Sequence, residues 1–210
     1  MFNYIVVRKK YMEQEIIAKI ENLASEFLDT YHAVQKNEVK LEHVADQMEL
    51  RIFTGRPLGA NLMVYWDFRY AKDQIFDEFK EKDGKSCQFI IVDREIDTVN
   101  KLLFLAGALV FLYLEDRYDE QENEDLIKLM HLGIRTLNIE SEQRLWNSFP
   151  YLYEITLCVL MPKQSVINYL REKNMVVREI LESFDELLAF ANTFLVKKID
   201  AQKRLSLLES

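Results

Sequence analysis

The hydrophobic residues of this chain change rhythm near residue 95. Leu62, Val64, Trp66, Phe68 and Tyr70 alternate with Met63, Tyr65, Asp67 and Arg69, the period of two that sets one face of a strand against a core. Beyond Asp97 the apolar residues recur at three- and four-residue spacing, the helical period. The pattern predicts an α+β protein: a small mixed sheet in a head over 1–95, followed by a predominantly helical body over 96–210, the two packed as one unit.

Within the head, Phe2 to Val7 reads as a first strand, with Met12 as an alternative start that would leave this segment a poorly ordered extension. Ile16, Ile17, Ile20, Leu23, Ala24, Phe27, Leu28 and Tyr31 form one stripe and predict a helix over 12–34. Met48 to Thr54 is a short strand, and the Gly55-Arg56-Pro57-Leu58-Gly59 turn leads from it into the alternating segment, predicting a hairpin with a long, mobile tip. Ile75, Phe76 and Phe79 mark a short helix stopped by Asp83-Gly84, and Cys87 to Val92 is a further apolar strand. The resulting order is β-α-β-β-α-β, that of a split βαβ unit.

The body reads as four or five helices. Leu102 to Leu114 is apolar all round, but 13 residues span only about 20 Å as a helix against roughly 30 Å of hydrocarbon. With Lys101 before it and Glu115, Asp116 and Arg117 after it, the run is expected as the central helix of a core and not as a membrane span. Asn123 is a candidate N-cap for a helix whose face is Leu126, Leu129, Met130, Gly133, Ile134 and Leu137. Pro150 and Pro162 are expected as first-turn prolines around the apolar residues 151–161. Val176, Ile180, Phe184, Leu187, Leu188, Ala191, Phe194 and Leu195 then continue a stripe toward Leu208, predicting one helix of about 50 Å from Met175.

Charge narrows the partners. The chain has 27 Lys and Arg against 35 Asp and Glu, a formal net charge of −8, which argues against bulk nucleic acid or an anionic membrane and favours a protein partner with a basic surface. Cys87 and Cys158 lie far apart in apolar runs with no CxxC spacing, the pattern of reduced, buried thiols in a cytoplasmic protein. The N-terminal apolar stretch precedes Arg8, Lys9 and Lys10, the reverse of the secretory signal order.

Candidate chemistry is sparse. His32, His43 and His131 sit in no HExxH, HxH or Cys/His spacing, so no metal centre is assigned from them, and no phosphate-cradling glycine loop or GxSxG elbow occurs. No cofactor is expected. Trp66, Phe68 and Tyr70 with Arg51, Arg56 and Arg69 could stack bases, but the net charge favours their use as core aromatics. Three groups of carboxylates remain. Glu179, Glu182, Asp185 and Glu186 lie opposite an apolar stripe and are expected to face water. Asp67, Asp93 and Glu95 close predicted strands, where gathered carboxylates could hold a divalent metal for hydrolase or nuclease chemistry.

The third group is the densest. Glu115, Asp116, Asp119, Glu120, Glu122, Glu124 and Asp125 put seven carboxylates in eleven residues, with only Arg117 to offset them. Such a segment repels itself unless a partner neutralises it. The expected function is therefore a non-enzymatic, acidic protein-binding module, an inhibitor or immunity-type protein that neutralises a basic partner. The alternative is a metal-dependent hydrolase or nuclease built on Asp67, Asp93 and Glu95.

Overall fold

The computed structural model describes residues 2–35, 38–55, 63–67, 88–94, 96–117 and 150–209. The chain is α+β, with a small mixed sheet and a helical body. Its backbone forms two compact units, one of residues 1–39 with 151–210 and the other of residues 40–150. These units differ from the expected division at residue 95. The N-terminal helix belongs with the C-terminal helices, and the sheet belongs with the apolar central helix.

In the first unit, helix α1 runs Phe2–Thr30. It takes in the predicted strand Phe2 to Val7, which is helical, and it starts ten residues before the predicted helix at 12–34. No Gly or Pro interrupts residues 2–30, Arg8, Lys9 and Lys10 are good helix formers, and extending a nucleated helix is easier than starting a strand that has no neighbour. The β-α-β-β-α-β order thus loses its first strand. His32 (φ 44°) ends α1 in the left-handed conformation, and the Ala33 amide reaches back to the Leu28 carbonyl at 2.9 Å, a Schellman closure. A two-stranded antiparallel hairpin, β1 (Val34–Gln35) and β2 (Glu38–Val39), follows.

The same unit continues with α4 (Pro150–Leu160), α5 (Lys163–Lys173), α6 (Val177–Glu182), α7 (Phe184–Thr193) and α8 (Lys198–Glu209). Pro150 is the first residue of α4, as expected of a residue without an amide donor, whereas Pro162 stands one residue before α5, at its N-cap and not in its first turn. The single long helix predicted from Met175 is three helices. Ser183 leaves the helix (φ −107°, ψ 120°) and its hydroxyl accepts the Glu186 amide at 3.4 Å, so it both ends α6 and caps α7. Leu195 (φ 52°) then stops α7, with the Val196 amide on the Ala191 carbonyl at 3.0 Å. Left-handed backbone costs a β-carbon-bearing residue about 1–2 kcal/mol. Packing offsets it: Ile180, Leu187, Phe190, Ala191, Val196, Ala201 and Leu205 are buried, which a straight rod could not achieve.

In the second unit, α2 (Leu41–Gln47) precedes strands β3 (Leu50–Gly55), β4 (Met63–Asp67) and β5 (Gln88–Asp93), and α3 (Thr98–Arg117) follows. The strand order is β3-β5-β4, with β3 parallel and β4 antiparallel to β5. The predicted β3–β4 hairpin is therefore not formed. Strand β5, with the apolar run Phe89 to Val92, takes the centre, where a strand is covered on both edges, and Ile90 and Val92 on it are buried. All twelve residues from Leu103 to Leu114 are buried on α3. Asp97 caps this helix: its carboxylate accepts the Asn100 amide at 2.9 Å, and that bond holds its pKa below the usual value against the opposing effect of burial. No described helix is long and apolar enough to cross a membrane.

The predicted turn at residues 56–59, the short helix at 75–79 with its Asp83-Gly84 stop, Cys87 and the helix of residues 126–137 with its Asn123 cap lie outside the described residues, as do Phe68, Arg69 and Tyr70.

Candidate functional site

The sheet register settles where the strand-end carboxylates stand. Asp67 is the last residue of β4 and pairs with Gln88, the first residue of β5; Asp93 is the last residue of β5 and pairs with Gly55. Five residues of extended chain separate the two levels, about 17 Å. The backbone therefore does not gather Asp67 with Asp93, because the strand that carries one runs antiparallel to its neighbour. Glu95 lies outside the described residues. Among the described residues no group of three or more His, Cys, Asp or Glu could hold a metal ion.

Of the acidic segment, Glu115 and Asp116 occupy the last turn of α3, while Asp119, Glu120, Glu122, Glu124 and Asp125 lie outside the described residues. The end of a helix already carries the partial negative charge of its unpaired carbonyls, so two carboxylates there add to that field instead of cancelling it. The division of the backbone sharpens the charge picture. Residues 40–150 carry 14 Lys and Arg against 21 Asp and Glu, whereas the other unit carries 13 against 14. Nearly all of the net negative charge thus belongs to one unit.

Glu179 and Glu182 face water as expected, each with a local role: Glu179 accepts the Val176 amide at 2.9 Å, and Glu182 pairs with Arg178 at 2.7 Å. Asp185 is exposed and Glu186 is half-buried. Of the histidines, His32 is exposed, His43 is bonded to Gln47 at 2.7 Å, and His131 lies outside the described residues.

The strongest polar constellation was not signalled by any motif. Arg204 of α8 is fully buried, with its guanidinium paired to both carboxylate oxygens of Glu21 on α1 at 2.5 and 3.1 Å and its Nε donating to the Met161 carbonyl at 3.0 Å. One turn earlier, buried Asp200 accepts a short hydrogen bond from the Tyr153 hydroxyl of α4. Lys203 pairs with Glu154 at 2.6 Å and lies over the Tyr153 ring, 4.6 Å from its centre. Burial pushes the Asp200 pKa up, and the Tyr153 hydroxyl, Lys197 and Lys203 pull against it. Burial also pushes the Cys158 thiol up to about 12, with Arg204 opposing and Glu21 and Glu154 reinforcing the rise. A thiol so held carries no useful thiolate fraction at neutral pH.

Chemically, this cluster fastens α1, α4 and α8 together; it offers no activated nucleophile. The one available sequence signal was positional: Arg204 falls on the buried stripe of Ala201, Arg204 and Leu205, where an ionised side chain needs a partner.

No family model, no curated protein and no solved structure matches this chain.

Proposed function

We propose that the protein is a non-enzymatic binding module for a protein with a basic surface, of the inhibitor or immunity type, working in the cytoplasm. The acidic stretch Glu115 to Asp125 is its docking element. The observation that supports this reading is the place where that stretch begins. Glu115 and Asp116 stand on the last turn of α3, where their charge adds to the negative end of the helix and does nothing for the stability of the helix itself. Seven carboxylates that begin on the last turn of a buried apolar helix make a field that steers a cationic surface and weakens with salt.

The experiment uses the full chain to capture partners from native lysate at low salt, then measures association of the captured partner with wild type and with the Asp119→Asn/Glu120→Gln/Glu122→Gln triple variant at two ionic strengths. The association rate should drop about tenfold or more for the variant and by a similar factor at high salt, within the range that electrostatic steering supplies. A rate indifferent to both changes, or an acidic captured partner, would overturn the proposal.

A further inference from the structure

Among the described residues, four that are not glycine have left-handed backbone: His32, Glu49, Asn174 and Leu195. His and Asn are enriched in this conformation, and at Asn174 it closes α5 with the Met175 amide on the Leu170 carbonyl at 3.0 Å. Leu195 makes the same closure on α7, but leucine has no preference for left-handed backbone and ranks among the strong helix formers. Its side chain is 51% exposed, so its own burial does not offset the strain; the closed turn buries Val196 instead. Glycine is the residue that would make such a stop permanent.

The chain around this turn is equally compatible with helix. Residues 184–209 contain no Gly and no Pro, and only Phe194 to Lys197 separate the end of α7 from the start of α8. Helical backbone through that link makes one helix of about 39 Å from Phe184 to Glu209 and turns two helix ends, with their unpaired amides and carbonyls, into helix interior. What holds the turn closed is the seat of α8. Arg204 reaches both carboxylate oxygens of Glu21 and the Met161 carbonyl, Asp200 accepts the Tyr153 hydroxyl, and Lys203 pairs with Glu154. A straight helix carries these three side chains away from their partners in the same copy, and a buried pair broken in this way is costly. The seat itself selects what refills it: a helix with Asp, Lys and Arg at the spacing of Asp200, Lys203 and Arg204, which is α8 of another copy.

We infer that α8 is exchangeable between copies: Leu195 is the hinge, and in a reciprocal dimer α8 of each copy occupies the seat of the other through the contacts that the structure shows within one copy. Exchange of an identical element closes on itself and needs no new kind of contact at the seat. It also removes the left-handed leucine, so the balance between the two forms is set by concentration.

The test uses the full chain, refolded from urea at low micromolar and at submillimolar concentration and sized by sedimentation velocity. Wild type should pass from 25.0 kDa to twice that mass after refolding at the higher concentration. Leu195→Gly favours the closed turn and disfavours a continuous helix, so it should raise the melting temperature of the monomer and weaken the dimer about a thousandfold, roughly thirtyfold for each of the two hinges. Leu195→Ala, a strong helix former without the freedom of glycine, should keep the dimer. Glu21→Arg and Arg204→Glu each put like charges in the seat of their own copy and should lower the melting temperature. Refolded together they should form a heterodimer that melts above either, because one seat regains the Glu21–Arg204 pair and the other holds its reversed counterpart. Association through an outer surface would leave both clashes in place. A wild type that refolds as a monomer at every concentration, a dimer equally strong with Leu195→Gly and Leu195→Ala, or a mixture that melts no higher than its components would each overturn the inference; the Leu195 series decides it alone where a seat variant does not fold.

Discussion

Replacing Glu21 by Leu tests the account of the first unit most directly. Arg204 is fully buried and Glu21 nearly so, with side-chain exposures of 0% and 16%. The guanidinium has three hydrogen bonds, two of them to Glu21 and one to the Met161 carbonyl. Glu21→Leu keeps the volume but leaves a buried cation with a single carbonyl partner, and breaking a buried pair in this way costs about 3–5 kcal/mol. Because the edge of Glu21 reaches water, we expect the lower figure, about 3 kcal/mol, out of a total stability on the order of 5–15 kcal/mol. Arg204→Met strands a carboxylate that can hydrate and should cost about 1–2 kcal/mol. The double variant Glu21→Leu/Arg204→Met removes both charges and should be within about 1 kcal/mol of wild type, since replacing a buried pair by apolar side chains is often neutral or better. Urea unfolding followed by circular dichroism reads these differences; at about 2 kcal/mol per molar urea, the Glu21→Leu midpoint moves by roughly 1.5 M. A Glu21→Leu loss under about 1 kcal/mol, or single-variant losses that simply add in the double variant, would refute the claim that this pair is closed from water.

Ala108→Asp places a carboxylate in the middle of the buried run of α3 and should abolish soluble folding; a soluble variant with a native melting temperature would remove α3 from the core. Asp200 has a folded pKa raised above its unfolded value, near 3.9, so the folded state holds the proton more tightly and stability falls as pH climbs from the unfolded to the folded pKa. Asp200→Asn should flatten that fall in urea midpoints measured between about pH 3 and 7, and an unchanged slope would contradict the burial of this carboxylate. In a Cys87→Ser background, Cys158 should resist alkylation at pH 8 until urea unfolds the chain, because its thiol is buried and its pKa stands at about 12. Labelling at the rate of a free thiol under native conditions would contradict its placement.

The docking site proposed for a basic partner was legible as charge density alone, without geometry. Glu115 and Asp116 could be placed on a helix end only once α3 was seen to run as far as Arg117. The strand-end carboxylates show the opposite case. Asp67 is expected near the end of one strand and Asp93 at the close of another, and each stands at the end of its strand, but whether two strand ends meet depends on the relative direction of the strands, and strand direction leaves no mark on a period of two.

The sequence by itself determined the α+β class, the strands near residues 50, 65 and 90, and the buried helix after Asp97, because local periodicity and composition are enough to specify which face of each element seeks a core. Tertiary structure alone decided the rest. Phe2 to Val7 joined a helix, since a short β-branched run takes the conformation its neighbours propagate. The stripe after Met175 was cut at Ser183 and Leu195, since three short helices folded on one another bury Ile180, Phe190 and Ala201 together. Arg204 entered the core, since Glu21, more than 180 positions away in sequence, supplied the charge that makes its burial tolerable. Partners so distant in sequence are specified only when the chain has folded, and no local pattern records them.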